Sequence, residues 1–317
     1  MVGERVPWSV RLAMLALAGL GVASLAAWVA QLGWPFELFV HFRPQYGVAA
    51  ALLAIAFLLM RRPGFAVFAT FIAVVHLWPG GSGRQTLASG AHCTGGALTV
   101  VTANLDYHNT NSRPFIDWLT REPADLVLLQ EVTPEWAAAL EAVPGYPHRR
   151  LLIRADPYGL GVLSRWPTDR LAVRDLAADG LPSLVGSLQV GRQTLMLAAV
   201  HTHWPLLPGL MSRRDLAVSR LAQEIRQHPG PWIAGGDFNL TPYSPVFRAL
   251  LEESGLRETR SRAAWAPSWG AGFWPLAMRI DHVLVTRELC AEPSEVGPDI
   301  GSDHRPVRVR LHLPVAG

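Results

Sequence analysis

Hydrophobic and polar positions follow different rhythms in the two parts of this chain. From about Val10 to Leu32 the apolar run is nearly unbroken, with no charge after Arg11. A helix of that length extends about 33 Å, enough to cross a bilayer core of roughly 30 Å. A cleaved signal peptide would have a shorter apolar run, of roughly 7–15 residues, and a small-residue cleavage site. Two further apolar stretches follow, Tyr46 to Met60 and Gly64 to Trp78, which favours an anchor. Each is about 15 residues, short for a span, so each borrows flanking residues, thins the bilayer locally, or forms part of a re-entrant hairpin. Arg61-Arg62 and the turn signal Pro63-Gly64 separate them.

Beyond residue 96 the rhythm becomes that of a mixed globular sequence. Ala97–Asn104 and Asp125–Gln130 are apolar runs of strand length. Phe115, Trp118 and Leu119 recur at helical spacing after Ser112 and Pro114, and Thr133-Pro134 opens another helix. Short strands are predicted near 148–153, 160–164, 183–190 and 194–201, then a helix over 211–227. A strand over 231–235 delivers Gly236-Asp237-Phe238-Asn239, a short helix covers 244–254, and 279–286 and 305–313 are closing strands. Many strands with interspersed helices predict a layered α/β domain with two sheets packed face to face. The organisation expected is a transmembrane region over 1–80, a Gly/Ser-rich linker over 81–96 and a catalytic domain over 97–317.

Composition sharpens this division. The chain is half hydrophobic with net charge +3 and a mean hydropathy of +0.20. Residues 1–80 carry only Glu4, Arg5, Arg11, Glu37, Arg43, Arg61 and Arg62 as charges. Every basic residue is arginine, and the runs are only pairs, so no basic stripe points to nucleic acid. The positive-inside rule puts Arg5, Arg11, Arg61 and Arg62 in the cytoplasm, and three spans then place everything after Trp78 outside. A flexible linker of this composition reaches roughly 23 Å, which holds the domain near the bilayer.

Polar residues recur at the ends of the apolar strands: Asn104 and Asp106, Glu131, His203, Asp237 and Asn239, Asp281, Asp303 and His304. Buried carboxylates are costly unless paired or metal-bound. Converging acids with two histidines fit an oxygen-rich site for Mg²⁺ or Mn²⁺. The pair Arg213-Arg214 reads as a solvated helix face, Ser164-Arg165 as a loop support near the site, and Trp118, Trp136 and Trp232 as core.

The segments TANLD (102–106), LLQEV (128–132), GVLSRWP (161–167), HTHWP (201–205), GGDFN (235–239), RIDHV (279–283) and GSDHRP (301–306) resemble, in order, the motifs of the endonuclease/exonuclease/phosphatase superfamily, in a membrane-anchored bacterial form. The resemblance covers roughly 97–313 and implies a four-layer α/β sandwich. It implies Glu131 as principal metal ligand, with Asn104 and Asp106 beside the metal and Asp303 in support. It implies Asp237 to orient the attacking water, Asn239 to hold the phosphate, and His304 paired with Asp281 to contact the phosphoryl group. His203 matches the position that steadies the transition state, and His201 is read as a core or supporting residue.

The expected function is therefore hydrolysis of a phosphate ester on a phospholipid or lipid-linked substrate. The expected location is the bacterial cytoplasmic (inner) membrane, crossed several times, with the domain on the periplasmic side. Trp265, Trp269 and Trp274 lie in an aromatic loop suited to a membrane interface, and Arg43 in the 33–45 loop is placed to meet an anionic headgroup. A nuclease is the alternative within the family, and a non-catalytic binding domain the alternative outside it. If the strands of Asn104 and Asp281 meet the site at one end, Cys93 and Cys290 fall together at the other, where an oxidising compartment allows a disulfide.

Overall fold

The computed structural model describes residues 6–78, 93, 95–259 and 266–313. It falls into two compact units, Met1–Arg84 with Pro242–Pro245, and Gln85–Thr241 with Val246–Gly317.

The first unit is helical. Helix α1 spans Trp8–Trp28, the short α2 Glu37–Val40, α3 Arg43–Leu59 and α4 Pro63–Leu77. Among the described residues only α1 is long and apolar enough by itself to cross a membrane; α3 and α4 have 17 and 15 residues. Its contact faces are built mostly from small residues: Ala13, Ala50, Ala54, Ala66, Ala69 and Ala73, filled in by Leu17, Phe57 and Ile72. Small residues let helix backbones approach closely. The large apolar side chains point away instead, with Leu15, Leu25, Leu59, Val67 and Phe71 all exposed. Between helices, His76 Nε2 lies 2.9 Å from Ser24 Oγ in a buried polar contact.

The 33–45 segment departs from its expected form as a loop. Residues 37–40 are helical and Arg43 is the first residue of α3. His41 is buried, 3.2 Å from the buried Glu37. Arg43 donates to the carbonyl of Val75 at 3.3 Å. His41 is thus committed inside the unit, and Arg43 is partly committed there.

The second unit is the four-layer sandwich. Its strands are β1 Ala97–Asn104, β2 Leu126–Gln130, β3 His148–Leu152, β4 Leu160–Ser164, β5 Leu171–Asp175, β6 Pro182–Val190, β7 Gln193–His201, β8 Trp232–Asp237, β9 Arg257–Glu258, β10 Asp281–Val285, β11 Cys290–Ala291, β12 Glu295–Val296 and β13 Val307–His312. One sheet runs β11-β13-β1-β2-β4-β3, with β12 also on β13; the other runs β5-β6-β7-β8-β10-β9. The helices are α5 Arg113–Arg121, α6 Pro134–Glu141, α7 Pro208–Gln227 and α8 Pro245–Ser254. Phe115, Trp118, Trp136 and Leu140 of α5 and α6 cover the outer face of the first sheet. Val218, Leu221, Ile225 and Phe247 of α7 and α8 cover the second. Thr133 caps α6 by accepting from the Trp136 N–H, whereas Ser112 makes no side-chain cap for α5.

Strand periodicity places the site. Leu98 and Val100 of β1, Leu126 and Leu128 of β2, Leu195, Leu197 and Ala199 of β7, and Val283 and Val285 of β10 form the layer between the sheets. Side chains two residues apart share a face. Continuing each series brings Thr102 and Asn104, Gln130, His201, and Asp281 onto the same inner face. The oily layer thus turns polar at one end, at the carboxyl ends of the parallel pairs β1/β2 and β7/β8.

Two expectations meet different outcomes at the opposite end. Cys93 and Cys290 are disulfide-bonded, because β11 and β1 both pair with β13. Ser164-Arg165 also lies there, since Ser164 is in register with Leu126, the first residue of β2. Arg165 pairs with Asp125 at 2.9 Å. It supports a loop, as expected, but one remote from Glu131.

Candidate active site

Three neighbouring strands deliver one row of the site. Asp237 is in register with His201 on one side and Asp281 on the other. The facing sheet contributes Asn104, in register with Gln130, and Glu131 follows directly. The Asn104 amide joins the two sheets, donating to Glu131 Oε1 at 2.9 Å and to Asp237 Oδ2 at 3.1 Å. Its own carbonyl oxygen accepts the Asp106 N–H at 3.0 Å. Glu131 Oε2 accepts the Tyr107 N–H at 2.8 Å.

The backbone bends sharply to make these contacts. Asp106, Glu131 and Asn239 have φ values of 58°, 63° and 49°, a region that costs a non-glycine residue about 1–3 kcal/mol. Gly236, at φ 144°, could carry no side chain, because a Cβ there would strike the carbonyl of Val200. Thr202 secures the following turn: its N–H donates to the Asp237 carbonyl, its hydroxyl to the Phe238 carbonyl, and its own carbonyl accepts Asn239 Nδ2.

His304 stands between two acids. Its Nδ1 is 2.8 Å from Asp281 Oδ2, and its Nε2 is 3.6 Å from Asp237 Oδ2. Burial opposes its charge, but the neighbouring Asp281 and Asp237 outweigh it and raise the pKa to about 10. The two acids thus favour the imidazolium form. Burial, reinforced by the Asp281 charge, pushes Asp237 up to about 7, against the pull of His304. Burial also raises Glu131. His201, buried and beside the His304 charge, is lowered to about 4 and stays neutral, with Nε2 3.6 Å from Asp237 Oδ2.

This donor set fits a divalent cation. Asp237 and Asp281 are buried and Glu131 is half-buried beside them. The three acids have one cationic neighbour in His304, and Asp281 Oδ1 is buried without a partner among the described residues. Such an excess of buried negative charge is what a hard cation offsets. Asp237, Asp281 and His304 offer ligand atoms within 4.8 Å of one another. A histidine held protonated by two carboxylates has no lone pair to give, so that trio is better read as an acid–imidazolium cluster, with Glu131 as the cation-facing acid.

The remaining expected residues divide. Asp303 is more exposed; its Oδ2 accepts the Trp269 indole N–H at 2.7 Å and its Oδ1 is 3.9 Å from His304 Nε2. Trp269 also bridges His304 and Met278 through its backbone. Its polar edge is thus spent on the site's scaffold, while Trp274 stands in the open at 43% exposure. Trp265 lies outside the described residues. Asp106 turns back on its own loop, accepting the His108 N–H. His203 lies in a neighbouring cluster, with Nε2 2.8 Å from Asp179 and Nδ1 3.0 Å from the Tyr158 hydroxyl.

Tyr158 and Asp179 were not anticipated, because neither follows an apolar strand as the other site acids do. Arg214 overturns its expected role as a solvated face. It is fully buried, makes two bonds to Asp215 Oδ1, and donates to the Asn239 carbonyl at 3.3 Å. Its place in the series Met211, Arg214, Val218, Leu221 on the inner face of α7 was the available signal.

The Endonuclease/Exonuclease/phosphatase family model matches residues 101–304. The fold is shared with an endonuclease/exonuclease/phosphatase of Beutenbergia cavernae, at 20% identity and TM-score 0.57 over 69% of this chain and 72% of that one. It is shared with sphingomyelinase C of Streptomyces griseocarneus, at 17% identity and TM-score 0.53 over 68% and 99%. It is also shared with D. rerio TDP2 complexed with single-strand DNA product, at 16% identity and TM-score 0.52 over 68% and 98%. No match is found among curated proteins.

Proposed function

We propose a membrane-borne substrate for this chain, which belongs to the Endonuclease/Exonuclease/phosphatase family and is a phosphoesterase. The substrate we infer is a phospholipid or lipid-linked phosphate, met at the extracytoplasmic face of a bacterial inner membrane. The observation that carries this reading is the helical unit, whose large side chains such as Leu25, Leu59 and Phe71 face outward. A water-soluble bundle would bury them; a bilayer accommodates them. Helix α1 crosses, and α3 and α4 form a hairpin with Arg61-Arg62 at its cytoplasmic turn. The Cys93–Cys290 disulfide suits an oxidising compartment outside the cytoplasm. Trp274, with Trp265 in the same segment, and Arg43 are the residues proposed to meet the lipid, whereas Trp269 is held in the site's scaffold by Asp303. The fold neighbours include both a sphingomyelinase and a DNA-bound protein, so fold likeness leaves the substrate open.

For the chemistry, Glu131, assisted by Asn104, Asp106 and Asp303, is the proposed seat of Mg²⁺ or Mn²⁺. A bound divalent cation stabilises charge that develops on the phosphoryl oxygens. Asp237 faces the attacking water and, with a pKa near 7, is suited to take its proton. The His304 imidazolium, fixed by Asp281, donates to the phosphoryl oxygens and Asn239 completes the donors around them, while His203, with both ring nitrogens engaged by Asp179 and Tyr158, supports the site from the neighbouring cluster.

The test is a release assay on the full chain in vesicles with Mg²⁺, comparing lipid-linked phosphates, water-soluble phosphate esters, and single- and double-stranded DNA. Turnover of the lipid-linked esters well above the others is expected. Preference for DNA would replace the lipid reading with that of a nuclease.

A further inference from the structure

Among the described residues of the catalytic unit, ten large apolar side chains are exposed, and seven sit in three loops that adjoin the site. Tyr107 follows Asp106. Trp204, Leu206 and Leu207 follow His203. Phe273, Trp274 and Leu276 lie between Trp269 and Asp281. The second and third loops contain the same tripeptide, Trp-Pro-Leu, at 204–206 and 274–276. In both copies the Trp and the Leu are exposed: Trp204 at 55% and Leu206 at 61%, Trp274 at 43% and Leu276 at 48%.

We infer that the two Trp-Pro-Leu loops are a matched pair of bilayer-contact elements, one on each side of the site's chain of residues. The inference rests on the reading that the chain resides in a membrane, but not on which ester it cleaves. Four features select lipid as the occupant. Residues 204–212 and 269–278 carry no charged side chain, so entering the interface strips no ion of its water. Pro205, Pro208 and Pro275 each remove an N–H that would otherwise need a partner there. Trp has an apolar ring with one polar edge and favours the headgroup level, where an adjacent Leu reaches the acyl boundary. The same chain carries helices whose outward faces suit only a bilayer, so that surface is always within reach of the linker. Trp204 directly follows His203, and His201 at the end of the same segment lies beside Asp237, so lipid contact there would place a headgroup beside the site.

The experiment uses the full chain in vesicles of phosphatidylcholine brominated along the acyl chains, with tryptophan fluorescence as readout. Trp204→Phe and Trp274→Phe should each remove part of the bromine-quenched emission. Leu206→Gln and Leu276→Gln should raise KM for a lipid phosphate about tenfold, the scale of one lost apolar contact, and leave a small soluble ester unaffected. Unchanged quenching in both Trp variants would overturn the inference. So would equal losses on lipid and soluble esters in the Leu variants. Quenching at Trp204 does not depend on the substrate, so a failed lipid assay with intact quenching would count against the substrate reading alone.

Discussion

The helical unit and the catalytic unit invert the usual arrangement of a water-soluble protein in opposite ways. The first puts small residues inside and Leu, Val and Phe outside. The second has an ordinary oily interior, except at one end of the inter-sheet layer, where it buries Asn104, Asp237, Asp281 and His304. An apolar exterior is inexpensive only if the solvent is lipid. A buried acidic cluster is tolerable only if something supplies positive charge. Each unit is thus incomplete by itself, and the proposed function supplies what each lacks: a bilayer in one case, a cation in the other.

The strongest way to break the comparison is to remove the charges of the site. Glu131→Gln, Asp237→Asn and His304→Ala should each lower kcat about 10²- to 10³-fold, the scale of one lost electrostatic group in a preorganised site, with circular dichroism unchanged. Comparable turnover in any of them would mean that the buried cluster is structural.

A smaller loss is expected one step away. Arg214 acts through the Asn239 carbonyl, so Arg214→Met should lower kcat about tenfold with KM little changed, and Arg214→Lys should recover part of it, in line with one displaced charge-assisted hydrogen bond. If activity in both variants merely tracks the folded fraction, Arg214 serves packing alone.

The charges also set a pH dependence in chelator. His304 has a folded pKa near 10 against an ordinary 6.5, so its stabilising contribution is full below about 6.5 and is lost as pH rises toward 10. Asp237, raised to about 7, favours lower pH up to that point, and His201, lowered to about 4, opposes it only below 6.5. The melting temperature should therefore fall steadily from pH 6.5 to 9, and Mg²⁺ should flatten the slope by compensating ionised Asp237 and Glu131. A flat profile in chelator would contradict the charge assignment.

The least effect on turnover should come from the far end of the sandwich. Cys290→Ser should lower thermal stability, by about 2–4 kcal/mol for a typical disulfide, while kcat stays within about twofold because register keeps that end remote from the site. A large loss of kcat in a folded protein would show the two ends to be coupled.

Much of this was legible in the residues. Apolar runs of strand length marked most strands, and the polar residues at their ends marked the row Asn104, Asp237 and Asp281. The disulfide also follows from which strand ends meet, and the His304–Asp281 pair is what the family resemblance implied. What escaped were features set by tertiary partners. The short pairings β9, β11 and β12 have too few residues for a period. Arg214 looks like half of a surface pair until α7 packs its inner face toward the Asn239 turn. Asp179 lies in a loop and finds His203 only through folding. The 33–45 segment was read as a loop because it lies between the first two apolar stretches; Glu37 and His41 are buried and Arg43 is partly turned inward, bonded to Val75.

The central claim is that the buried acids at the polar end of the sandwich hold a cation for phosphate-ester hydrolysis. The most direct test is phosphate release by the purified full chain as Mg²⁺ is titrated into metal-free protein, for the natural sequence and for Glu131→Gln. Saturable activation of the natural sequence is predicted, with Glu131→Gln requiring far more Mg²⁺ and never approaching the same maximum. Full release in the presence of chelator, or identical Mg²⁺ titrations for the two proteins, would contradict it.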